Sequence, residues 1–251
     1  LRGKLVSFAC LGLITLLALP FVLERARAAD DYIASGPRAA AGSLYLIAKQ
    51  GFPNLCPDKK NDAKSITDIA KILSSPRAML GALDSGTSTA FPLFGIERYI
   101  ISRGYVCGSL KFQGYRPCQE GYSAGTSPRM NWILAGTRQK TGECVLVGWY
   151  DHDSKENLYR RRGGQWLTVM GYQLTQTTKG CPTVLIVADP ASGQRSWLYF
   201  EEIKNGKLVE YDSHGRLTRT TYPQGPVYRV KSSIGGQGTA ILEGAAIFQV
   251  K

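Results

Sequence analysis

Proton-shuttling rings are scarce in this sequence, since only His152 and His214 can supply imidazole. His152 lies in Asp151-His152-Asp153, which reads as a polar loop, and His214 in Asp212-Ser213-His214-Gly215, which reads as a turn. Both are expected in solvent rather than in a pocket. Thiols occur at Cys56, Cys107, Cys118, Cys144 and Cys181 beyond the N-terminal segment, and none forms Cys-x-x-Cys, so neither a structural zinc site nor any other metal or cofactor is expected. Ser35 opens Ser35-Gly36-Pro37, the pattern of a helix N-cap followed by an early proline. Its simplest role is to accept an orphan N–H. As a nucleophile it would need a neighbouring base to take its proton.

The elements that must position these groups fall into two halves. Ser35 to Lys49 is apolar and alanine-rich and ends before Gly51; Ser65 to Leu73 places Ile66, Ile69, Ala70 and Leu73 at helical spacing; Pro92 to Ser102 ends before Gly104. A short helix is expected over Pro128 to Thr137. Period-two and buried runs then follow: Cys144 to Tyr150, Trp166 to Gln173, Val184 to Ala188, Trp197 to Phe200, Lys207 to Tyr211, Val227 to Val230 and Thr239 to Val250. Arg160-Arg161-Arg162 before two glycines reads as an exposed loop. The order predicts an α+β fold, N-terminal helices packed on a C-terminal antiparallel sheet, with a cleft between the layers.

Arg2 and Lys4, the apolar run Leu5 to Leu23, and Ala26-Arg27-Ala28 predict a signal peptide over 1–28 with cleavage after Ala28, leaving one domain over 29–251. An uncleaved N-terminal anchor is the alternative. Removal of Arg2, Lys4, Arg25, Arg27 and Glu24 takes the net charge from +12 to +9. A basic exported protein is drawn to anionic envelope polymers, while no aromatic-plus-basic spacing suggests nucleic acid. An odd number of cysteines in an oxidising compartment predicts at least one disulfide and at least one cysteine that stays free or pairs with another chain, with Cys107 and Cys118 the pair nearest in sequence.

Gly163-Gly164-Gln165-Trp166-Leu167-Thr168-Val169-Met170-Gly171-Tyr172 resembles the strand on which papain-like cysteine peptidases carry their histidine. Val145 to Tyr150 resembles the preceding strand, and Val187-Ala188-Asp189-Pro190 the Asp-Pro that orients the histidine in the bacterial branch similar to bacteriocin-leader peptidases. Ser35-Gly36-Pro37-Arg38-Ala39-Ala40 resembles that branch's Cys-Gly-Pro-x-Ala-Ala helix start. The resemblance implies a papain-like fold over most of the mature chain, with Ser35 and Gln165 at the cysteine and histidine positions and Asp189 as the third member.

Those substitutions bear directly on chemistry. A helix N-terminus and an imidazolium lower a cysteine's pKa until thiolate is present; a serine hydroxyl gains no such ionisation. A carboxamide such as Gln165 donates and accepts hydrogen bonds without transferring a proton. Loss of a nucleophile or its base costs on the order of a million-fold in turnover. The resembled oxyanion hole uses a glutamine upstream of the nucleophile, where this chain has Asp30 and Asp31. The resemblance thus implies a catalytically inactive module, secreted or periplasmic, that holds a peptide or protein partner in a cleft lined by Trp149, Gly164 and Trp166. The alternatives are a hydrolase or acyl transferase with a non-standard constellation, such as Ser35 with His152 or a free cysteine, and a structural envelope protein.

Overall fold

The computed structural model describes residues 35–56, 58, 62–75, 90–138, 140–174, 183–189, 192–203, 206–212, 214–232 and 238–251. The expected signal segment, its cleavage point, Asp30, Asp31, Cys181 and Pro190 lie outside these residues. Among the described residues, no helix is long and apolar enough to cross a membrane.

Three helices come first: α1 (Ser35–Ala48), α2 (Asp62–Ser74) and α3 (Ala90–Ser102). A short α4 (Met130–Ala135) sits between strands. The strands are β1 (Cys107–Gly114), β2 (Ser123–Gly125), β3 (Thr141–Asp153), β4 (Leu158–Leu174), β5 (Thr183–Ala188), β6 (Arg195–Ile203), β7 (Lys207–Tyr211), β8 (Leu217–Thr221), β9 (Val227–Lys231) and β10 (Thr239–Val250). The class is α+β, as the sequence predicts. Two features of the expected layering are corrected. The sheet is mixed, because β1 pairs β2 and β4 pairs β7 in parallel. The helices are also not all N-terminal to it, since α4 follows β1 and β2.

Pairing closes part of the sheet on itself. β3 joins β10 and β4, β4 joins β5, β5 joins β6, β6 joins β9 and β9 returns to β10. Val145, Val147, Leu167, Leu185, Val187, Leu198, Val230 and Leu242 fill the inside of this ring, with Met130 and Ile133 of α4 packed against them. Alternation along β4 then puts Gln165, Leu167 and Val169 on the inner face and Trp166 and Thr168 on the outer one.

Helix α1 lies on that outer face. Ala39, Ala40, Ala41, Leu44 and Ile47 are buried, and full burial of a leucine or isoleucine stabilises by about 1.5–3 kcal/mol. The small residues are needed for close approach: a Cβ on Gly42 would stand 2.4 Å from Thr168 Oγ1. Thr168 Oγ1 donates to the Ala39 carbonyl at 2.9 Å, and Ser43 Oγ donates to the Glu143 carbonyl at 2.7 Å. These bonds fix α1, and with it Ser35, against β3 and β4.

Candidate functional site

Ser35 begins α1 and its Oγ accepts the backbone N–H of Trp166 at 3.1 Å, although the two are 131 residues apart in sequence. The reason lies in the ladder. Pairing of β4 with β5 starts at Thr168 and Ala188, so the Trp166 N–H, two residues earlier, faces no strand partner on that side. The serine hydroxyl supplies the missing acceptor.

On the neighbouring inner-face position, Gln165 Nε2 donates to Asp189 Oδ1 at 2.8 Å. Asp189 ends the stretch that follows β5, where its Oδ2 also accepts from Ser192 Oγ at 2.9 Å. Ser35, Gln165 and Asp189 therefore meet at one end of the β4–β5 pair. The Ser35 and Gln165 side chains are not hydrogen-bonded to each other; the link between them runs through the Trp166 backbone. The Gln165 carboxamide offers hydrogen bonds and no basic nitrogen.

Other candidate bases and nucleophiles are elsewhere. His152 is not in a loop; it extends β3, pairs with Tyr159 and stacks on its ring at 4.3 Å. Trp166 pairs with Leu146, six residues from His152, so the imidazole is roughly 20 Å along the strand from Ser35. His214 is in the turn the sequence predicts, its N–H bonded to Asp212. Cys107 and Cys118 are free thiols rather than a bridge, as are Cys56 and Cys144; the Cys107 thiol turns back to the Ser109 carbonyl. Burial pushes the Cys107 thiol up to about 11 and the Cys144 thiol up to about 12, the opposite of an activated nucleophile.

The three residues expected to line a cleft have different surroundings. Trp166 is 2% exposed and packs edge-on to Phe112, so it belongs to the core and not to a cleft wall. Trp149 is half-buried, on the inner face and against the ring's core. It pairs with Gly163 while Val147 pairs with Gln165, which makes it a diagonal neighbour of Gln165 at about 7–8 Å. Gly164 serves packing: a Cβ there would stand 2.4 Å from Arg161 Nη2.

That contact leads to groups the sequence reading missed. Arg161 is not in an exposed loop. Its side chain is 7% exposed and pairs with Glu243 of β10, which is fully buried, through Nε at 2.7 Å and Nη2 at 3.0 Å. Tyr150 O–H donates to the same carboxylate at 2.5 Å. Gly148 and Gly164 face one another across β3 and β4 and leave the space this carboxylate fills. The available signal was Glu243 itself, a lone acid beside Gly244 in an otherwise apolar run. Comparison with family models, curated proteins and solved structures finds no match for the chain.

Proposed function

We propose that this chain is an exported, papain-like peptidase-derived domain that retains a peptide or protein partner beside a degenerate triad and does not cut it. The observation that carries the reading is the convergence of Ser35 at a helix start, Gln165 on β4 and Asp189 after β5, with Gln165 donating to Asp189. The Gln165–Asp189 bond is the contact a histidine oriented by an aspartate would make, with a non-basic amide in its place, while Ser35 reaches the neighbouring Trp166 N–H and not Gln165 itself. Half-buried Trp149 beside Gln165 offers an aromatic surface for a peptide. The segment over 1–28 supports export, and the net charge of +9 that remains from +12 after its removal favours an acidic peptide or an anionic envelope polymer as partner.

The test is retention and integrity of a randomised peptide library on the immobilised mature chain, read by mass spectrometry. The reading expects a retained, uncleaved subset whose retention falls about ten-fold in Trp149→Ala, the size of one lost aromatic contact of about 1.4 kcal/mol. Cleavage that disappears in Ser35→Ala would favour a hydrolase. A library that is neither held nor cut would favour a structural envelope protein.

A further inference from the structure

Four large apolar side chains that water still reaches share one corner of the sheet, where β4 ends and β5 begins. Leu185 of β5 and Leu198 of β6 pair and belong to the ring's core, so alternation turns Trp197 and Tyr199 to the outer face, opposite Ile186 and Val184. A bulge after Val169 resets β4, and beyond it Tyr172 pairs with Leu185 and Leu174 with Thr183. Tyr172 and Leu174 therefore stand on the inner side of the same strands. Trp197 is 46% exposed, Tyr199 51%, Tyr172 45% and Leu174 65%, and the register keeps all four within about 10 Å along the strands.

The outer face at this corner is also positive. Lys231 stands opposite Tyr199 and Arg229 opposite Glu201 across β6 and β9, and Arg195 shares the face of Trp197 and is exposed. Against these three cations stands Glu201, 3.1 Å from Lys231 Nζ and 3.8 Å from Arg229 Nη1. A polysaccharide lying on the outer face would cover Trp197 and Tyr199 and leave Tyr172 and Leu174 in water. Apolar groups on both faces of one strand pair leave water together in a medium that surrounds it. Tryptophan and tyrosine favour the lipid headgroup layer, where the ring meets apolar chains and the polar tip stays wet, and basic side chains beside them are drawn to anionic headgroups. We propose that this corner docks on an anionic phospholipid surface, with Trp197, Tyr199, Tyr172 and Leu174 entering the headgroup layer and Arg195 and Lys231 meeting the phosphates. The inference is independent of the proposed peptide site.

The experiment is hydroxyl-radical footprinting of the full-length chain, read by peptide mass spectrometry, with vesicles of phosphatidylcholine alone or mixed with phosphatidylglycerol. Oxidation is read at each side chain, so lipid contact elsewhere in the chain does not register at this corner. The mixed vesicles should protect Trp197, Tyr199, Tyr172 and Leu174 together and leave Tyr222, exposed just after β8, as reactive as before. Lys231→Gln should raise the lipid concentration for half-protection about five-fold, the effect of one cation near an anionic surface. Trp197→Ser with Tyr199→Ser, at exposed positions outside the core, should abolish protection of Tyr172. Unchanged oxidation of the four side chains would overturn the proposal, and so would equal protection by phosphatidylcholine alone. Protection of Trp197 and Tyr199 by soluble alginate, with Tyr172 still oxidised and vesicles without effect, would replace the lipid surface with an anionic polysaccharide. Protection that grows with protein concentration in the absence of lipid would assign the corner to a second copy of the chain.

Discussion

Replacing Arg161 by methionine keeps most of the buried stem and removes the guanidinium, which leaves the fully buried Glu243 carboxylate with Tyr150 O–H as its one remaining strong donor. Removing one partner of a buried ion pair costs about 3–5 kcal/mol, because the other charge is stranded in a low-dielectric interior. In a domain whose whole stability is of the order of 5–15 kcal/mol, the unfolding midpoint should fall by roughly 6–20 °C. The double variant Arg161→Met with Glu243→Gln isolates the cause. The amide carries no charge and its oxygen can still accept the Tyr150 hydroxyl, so at least half of the lost stability should return. Urea unfolding of the four proteins gives the cycle. A loss below about 1 kcal/mol in Arg161→Met, the size of an exposed pair, or a double variant no more stable than Arg161→Met alone would contradict a stranded charge as the cause.

Three further outcomes follow from the same structure. Burial holds the Glu143 carboxyl well above the ordinary range and both its oxygens lack partners. The folded state thus keeps a proton the unfolded chain has released, and stability should decline as pH rises from about 4 through the folded pKa. Glu143→Gln should remove this decline and be the more stable protein at alkaline pH, with parallel pH profiles in urea melts counting against it. Ser35→Ala should cost about 1–2 kcal/mol by stranding the Trp166 N–H, measured by thermal unfolding; an unchanged midpoint would mean that the contact contributes nothing. Gly148→Ala would place a Cβ 2.5 Å from Glu243 Cδ and 2.7 Å from a Tyr150 ring carbon, and should cost about 1–3 kcal/mol. Gly171→Ala, with nothing within 4 Å of its Cβ, should be close to neutral.

The sequence was most legible where one periodicity ran unbroken. The apolar spacing of Ile66, Ile69, Ala70 and Leu73 predicted α2, and the inner-face alternation of Leu167 and Val169 follows from period two. Strand ends were less legible, because Asp151-His152-Asp153 and Arg160-Arg161-Arg162 have the composition of loops. They are strands because most of the polar side chains find partners across the β3–β4 hairpin, where Arg162 meets Asp151 at 2.5 Å, Arg160 meets Asp153 at 3.7 Å and His152 stacks on Tyr159, while Arg161 reaches Glu243 of β10. Cross-strand pairing of this kind is tertiary information that a local pattern cannot carry. Strands β1 and β2 were missed for a related reason, since Cys107–Gly114 alternates weakly and takes its conformation from β10. At the site, Gln165 and Asp189 were reached through the sequence pattern, whereas the acceptor role of Ser35 depends on where β5 ends. Trp166 was misjudged because an aromatic beside a candidate residue looks identical in sequence whether it faces solvent or Phe112.

The proposal that Ser35, Gln165 and Asp189 are the remnant of a catalytic triad rests on the Gln165–Asp189 bond and on Ser35 meeting the next backbone N–H along β4. It is tested most directly by the alkylation rate against pH of a cysteine at position 35, followed by peptide mass spectrometry, in Ser35→Cys and in Ser35→Cys with Gln165→His. Adding the histidine, oriented by Asp189, should lower the apparent thiol pKa by at least about one unit, because an imidazolium stabilises the thiolate. Identical titrations in the two variants would contradict it.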